Sequence, residues 1–177
     1  MRVCWISPPD PETGAVEGQD EHRVRVERME ARLAAAGLEP GAGAVRVEAA
    51  NLMRGAKLAA DMERGKDSSA SPWVAVCYDN VVIHKEPDLD AVAASAPGDA
   101  ELLILCDKAV EAVEEPVAAP RICMSGAFDW CAVEDGAAVG GRNLYMVRVS
   151  ALEDDDDRAA FPRTYRSRAA LVGAGGH

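Results

Sequence analysis

The chain has 177 residues, of which 49% are hydrophobic and only 5% aromatic, and its formal net charge is −11. That length fits one domain with a substantial core, and the apolar fraction is globular rather than disordered, so with few aromatics the core must be built mainly from Ala, Val, Leu and Ile. The charge argues against nonspecific binding to nucleic acid or an anionic membrane, since both need a basic face.

Val3–Ser7 reads as a short β-branched strand closed by Pro8-Pro9. The apolar start meets those prolines too soon to form the core of a secretory signal. No apolar stretch approaches the roughly 20 residues that span a bilayer. Asp10–Gln19 is polar and contains Gly and Pro, which predicts a loop. Asp20 suits the N-cap of a helix running to about Ala36. In that helix Val26, Met29, Leu33 and Ala36 recur at helical spacing, Glu21 and Arg25 form an i,i+4 pair, and Gly37 provides the C-cap. His22 falls in its first turn and is expected to be exposed. The Gly-rich loop Pro40–Ala44 follows a helix and precedes the short strand Val45–Val47, the wrong context for a dinucleotide fingerprint. Asn51 caps a second helix with Leu52, Ala56, Ala59 and Met62 on one face and Gly65 at its end.

After a polar linker, Trp73–Tyr78 forms an apolar strand that stops at Asp79-Asn80. Val81–Ile83 is a second short run, and a helix is expected from about Asp88 to Ser95. Glu101–Cys106 is the most hydrophobic run and reads as a central strand ending before Asp107. Arg121–Met124 and Asn143–Val149 are further strands, separated by a Gly- and acid-rich loop. The five cysteines, Cys4, Cys77, Cys106, Cys123 and Cys131, contain no CxxC pair. Most lie in apolar runs, as buried thiols of a cytoplasmic or other reducing compartment do, and the spacing lacks the ligand pairs of a zinc site. The element order predicts a single α/β domain over residues 1–152, a three-layer sandwich with a mainly parallel central sheet. The acidic run Glu153–Asp157 and a basic tail carrying Arg158, Arg163, Arg166 and Arg168 follow it.

Four places, the last in two parts, together resemble family 25 glycosyltransferases, the group of lipopolysaccharide-type galactosyltransferases. Arg25–Glu39 is similar to the family's opening helix. Met53–Gly65 stands where the family has a helix with a Ser-His-Leu step, here Ala56-Lys57-Leu58. Pro72–His84 resembles the strand that ends in an acidic triplet, here Tyr78-Asp79-Asn80. Gly98–Cys106 and Gly140–Leu152 resemble the apolar strand and the later Gly-then-aromatic strand. The resemblance implies a GT-A fold, a nucleotide-sugar donor, a glycan or protein acceptor, and Mn²⁺ or Mg²⁺ on the donor diphosphate, with Asp79 as the metal ligand and Asn80 beside it.

Such a transfer needs positive charge on the leaving diphosphate, a carboxylate to accept the acceptor hydroxyl's proton, and a pocket for the base and sugar. Asp79 sits at a strand end, where open α/β sheets bind ligands; the same Asp-Asn pair also suits a hairpin turn. Asp129, Glu134 and Asp135 are the candidate bases. Asp129 stands out because Phe128 and Trp130 flank it, an environment able to raise a carboxyl pKa by desolvation. A plain surface loop is the other reading of these acids. Arg142, after Gly140-Gly141, is placed to hold a phosphate, although a tight turn before a strand accounts for the same residues. His84 reads as structural. A non-catalytic descendant of the same fold, acting as a binding or structural protein, and an unrelated α/β protein are the competing expectations.

Overall fold

The computed structural model describes residues 1–7, 16–49, 51–64, 71–105, 121–122, 130–132, 143–152 and 164–167. In chain order the elements are β1 (Val3–Ile6), α1 (Val16–Ala35), β2 (Ala44–Arg46), α2 (Leu52–Arg64), β3 (Trp73–Tyr78), β4 (Val82–Ile83), α3 (Leu89–Ser95), β5 (Leu102–Leu105), β6 (Arg121–Ile122), β7 (Trp130–Ala132), β8 (Leu144–Arg148), a 3₁₀ turn (Val149–Leu152) and β9 (Thr164–Ser167). No described helix is long and apolar enough to cross a membrane.

The sheet order is β2-β1-β3-β8-β5-β9-β7, and β4 pairs with β6 in a separate two-stranded ribbon. Strands β1, β3, β5 and β8 are buried almost throughout, as continuous apolar runs with both faces covered should be. Alternate residues feed two cores. On one face Val3, Trp5, Ala75, Cys77, Leu103 and Met146 pack with Met29 and Leu33 of α1 and Leu89 and Val92 of α3. On the other, Cys4, Ile6, Val74, Val76, Ile104 and Tyr145 pack with Leu52, Ala56, Ala59 and Ala60 of α2. The described residues therefore form three layers, α/β/α.

The expected mainly parallel sheet is mixed. The β2–β1, β1–β3 and β5–β9 pairs are parallel, whereas β3–β8, β8–β5 and β9–β7 are antiparallel. An apolar run carries no direction; the end of the sheet from which the chain arrives decides it, and β8 enters opposite to both its neighbours. The sheet also continues past residue 152, because Thr164–Ser167 of the expected tail pairs with β5. Trp130–Ala132, expected in the long loop, pairs with β9.

Local chemistry explains the helix ends. Gly37, at φ 88°, closes α1. Its N–H donates to the carbonyl of Ala34 and that of Leu38 to the carbonyl of Leu33, the paired bonds of a Schellman cap, and Leu33 and Leu38 are both in the core. The Asn51 side chain accepts from the N–H of Arg54 at 2.9 Å and that of Asp88 from Ala91 at 2.9 Å, so both act as N-caps. The buried face of α2 is Leu52, Met53, Gly55, Ala56, Ala59 and Ala60; Met62, expected on it, is 39% exposed.

Small residues let α2 approach the sheet closely. A Cβ on Gly55 would meet Ile6 at 3.3 and 3.4 Å and Val76 at 3.5 Å. Gly55→Val should therefore cost about 1–3 kcal/mol by overpacking in urea denaturation. Gly98→Ala, where no atom lies within 4 Å of the added Cβ, should leave the midpoint nearly unchanged.

Candidate functional site

The parallel part of the sheet dictates where polar chemistry can collect. Strand β1 lies between β2 and β3, with α1 crossing to β2 over one face and α2 crossing to β3 over the other. The connections diverge between β1 and β3, a topological switch point that opens a crevice beyond the carboxyl ends of the strands. Ile6 pairs with Tyr78 in register, so the next residue on each chain, Ser7 and Asp79, emerges from the apolar layer beside the other. The pairing runs one step further through the Asp79 N–H, which donates to the carbonyl of Ile6 at 3.0 Å.

Five side chains meet there. The Ser7 hydroxyl donates to Asp79 Oδ2 at 2.5 Å. Arg25 Nε lies 3.5 Å from the same oxygen, with the Asp79 side chain 10% exposed and that of Arg25 41%. His22 Nδ1 is 3.4 Å from Ser7 Oγ and 3.3 Å from an Arg25 terminal nitrogen, and His22 Nε2 is 3.0 Å from an Arg46 terminal nitrogen. Arginine only donates, so Arg46 requires a lone pair on Nε2, which puts the neutral ring's proton on Nδ1. Nδ1–H then donates to Ser7, whose own proton goes to Asp79. One directed chain results, from Arg46 through His22 and Ser7 to Asp79, with Arg25 against its acceptor end. The Nδ1–Arg25 approach in this arrangement is a contact and not a hydrogen bond.

This order is not that of a serine nucleophile. In a Ser-His-Asp triad the imidazole lies between and takes the serine proton; here Ser7 lies between and gives its proton directly to the carboxylate. What the cluster does present is two guanidiniums, one half-buried and one exposed, on either side of a single imidazole beyond the carboxyl ends of the strands. Guanidinium forks suit phosphate and carboxylate oxygens. Arg46 also lies over the Trp5 ring, 5.9 Å from its centroid. It borders a shallow depression lined in part by Trp5, Leu33, Pro40 and Ala44.

The donor set does not fit a divalent cation. Mg²⁺ and Mn²⁺ take carboxylate oxygens directly, whereas Asp79 Oδ2 already accepts from Ser7 and faces a guanidinium. The neighbouring triplet positions are Tyr78, half-buried at the end of β3, and Asn80, exposed in the turn. No group of three His, Cys, Asp or Glu able to hold a metal occurs among the described residues.

Of the residues singled out from sequence, Asp79 is at the strand end and in the polar cluster, with Asn80 beside it. The Asp-Asn turn is real, yet it makes no hairpin, because β4 pairs with β6 rather than with β3. Asp129, Glu134, Asp135 and Arg142 lie outside the described residues, as do Cys106, Asp107 and Cys123. His84 is exposed. His22 is half-buried and bonded rather than free in a first turn, because α1 begins at Val16 and not after Asp20. Ser7, His22, Arg25 and Arg46 were the residues that sequence reasoning missed. Their signal was positional: the polar residue just after β1, the polar residue that closes β2, and an i,i+3 pair on the helix between them.

Cys77, just inside the crevice on β3, is fully buried. Burial drives its thiol pKa far up from 9.0, and Cys4 and Asp79 push in the same direction. Comparison with protein-family models, curated proteins and solved structures finds no match to this chain.

Two outcomes are expected. The coupling energy between Ser7→Ala and Asp79→Asn, from a double-mutant cycle in urea, should be about 1.5–3 kcal/mol, the range for hydrogen bonds to charged groups; additivity would mean that the contact contributes nothing. The native Cys77 thiol also keeps its proton where the unfolded thiol loses it, so its contribution is complete below pH 9 and fades as pH rises. Stability should fall by about 1.4 kcal/mol per pH unit above that point, and Cys77→Ala should remove this part of the slope.

Proposed function

We propose that the chain is a glycosyltransferase-like protein that binds a nucleotide sugar beyond the carboxyl ends of β1 and β3 and transfers its hexose to an acceptor hydroxyl. The observation that carries this reading is the gathering of Arg25 and Arg46 around His22, Ser7 and Asp79 at the switch point of the sheet. Three further features support it. The layering is α/β/α, the acid that follows β3 is the one the resemblance assigns to the donor site, and Trp5, Leu33 and Glu30 line a depression beside Arg46.

In the proposed reaction the acceptor oxygen attacks the anomeric carbon while the bond from that carbon to the phosphate oxygen breaks. The nucleoside diphosphate leaves with the electron pair, and a carboxylate takes the acceptor's proton. Two guanidiniums beside the leaving group would stabilise the charge that develops on it. Asp79 and Ser7 act as positioning residues, holding Arg25 and His22 in place. The proton acceptor is assigned to the acids Asp129, Glu134 and Asp135 on the strength of the resemblance.

A second reading, a non-catalytic binding protein of the same fold, is favoured by one observation: both partners of Asp79 Oδ2 come from within the chain. A screen of UDP-, GDP- and CMP-sugars by thermal shift and by nucleotide release separates the two. The transferase reading expects one nucleotide class to raise the midpoint in a concentration-dependent way and to be turned over, with Arg46→Ala losing both effects. A shift without turnover would support the binding protein, and no shift at millimolar ligand would overturn both.

A further inference from the structure

Resting on the nucleotide-sugar reading, we propose that this site recognises the diphosphate of its ligand without a divalent cation, with Arg25 and Arg46 supplying the positive charge that the resemblance assigns to a metal. Three observations carry it.

The first is the state of the only triplet acid. A Ser7 hydroxyl at 2.5 Å and an Arg25 guanidinium nitrogen at 3.5 Å occupy the space around Asp79 Oδ2. Both are hydrogen donors and one is a full positive charge. A cation bonded to either oxygen of this carboxylate would share it with the Arg25 guanidinium and be repelled by that charge. The carboxylate is therefore built to hold an arginine.

The second is where the arginines stand. Arg25 comes from the middle of α1 and Arg46 from the last position of β2. They reach opposite nitrogens of one imidazole, at 3.3 and 3.0 Å. The consecutive elements α1 and β2 thus bring two like charges together, and the Asp79 carboxylate pairs with Arg25. In a chain of net charge −11, an anionic ligand meets an unfavourable overall field, and a local pair of cations is what would counter it.

The third is chemical match. A diphosphate offers several equatorial oxygens on two phosphorus atoms, and the planar guanidinium fork binds such oxygens in pairs, whereas a lone ammonium acts as a point charge. The cluster lies beyond the carboxyl ends of parallel strands, where ligands of open α/β sheets sit.

The test is calorimetric titration of the full chain with UDP, GDP, CDP and inorganic pyrophosphate, each in excess EDTA and again in excess Mn²⁺. At least one nucleoside diphosphate should bind in EDTA, with an affinity within about threefold of that in Mn²⁺, since no step of recognition uses the ion. Arg46→Ala, at an exposed position, should weaken binding by about tenfold or more while circular dichroism shows the fold retained. Arg25→Lys, which keeps the charge but loses the fork, should weaken it less than Arg25→Ala. Binding that requires Mn²⁺ would overturn the inference and leave the nucleotide-sugar reading intact. Pyrophosphate binding as tightly as every nucleoside diphosphate would support cation-free recognition and overturn the nucleotide reading. Absence of binding in both buffers would overturn the two together.

Discussion

Strands β1 and β3 run side by side with both faces covered, and this arrangement forces the chemistry at their ends. Within the strands every side chain from Val3 to Ile6 and from Trp73 to Cys77 is buried, so polar groups can appear only where the chain leaves the layer. Register then places Ser7 and Asp79 together. A carboxylate this little exposed cannot rely on water for its solvation. It draws on a hydroxyl and a guanidinium instead, and these in turn locate His22 and Arg46. The polar cluster is thus a consequence of the sheet's packing as much as of the residues in it.

Helix α1 supplies the other half of the arrangement. Its carboxyl end is fixed by the Schellman cap at Gly37 and by Met29, Leu33 and Leu38 in the core. Nearer its middle, Val24 is 44% exposed and Val26 packs against the core, and His22 and Arg25 add polar contacts. The helix is therefore anchored at its carboxyl end by burial, while its middle turns carry the same groups that would meet a ligand. Binding at the crevice would act on the ordering of those turns, so that affinity and local stability become two views of one set of contacts.

Much of the fold could be read along the chain because its signals are local. The apolar runs at Val3, Trp73, Leu102 and Leu144, the caps at Asn51 and Asp88, and the glycine at position 37 each act within a few residues. Strand direction does not, and β8 reads the same either way. The short strands Trp130–Ala132 and Thr164–Ser167 carry no periodicity long enough to recognise, and exist through their partners. The site divides in the same way. Asp79 was legible as a carboxylate closing a buried strand, whereas its hydroxyl partner is 72 residues away and its guanidinium depends on which face of α1 points down. That face follows from a helix start four residues before Asp20, a boundary that polar residues and a glycine concealed. The resemblance placed a metal at Asp79 because it compared residue types in a row, and Arg25, which faces Asp79, is not in that row.

The strand order also governs what the ribosome exposes. Strand β3 pairs with β1 on one side and β8 on the other, and β5, although made first, lies beyond β8. While residues 79–143 are being synthesised, the β3 edge has no partner of its own, and it consists of Trp-Val-Ala-Val-Cys-Tyr. Such an edge is a template for pairing with another chain. The nascent protein must carry this exposed strand through more than a third of its translation, which makes the interval before Leu144 emerges the period in which a chaperone has most to protect.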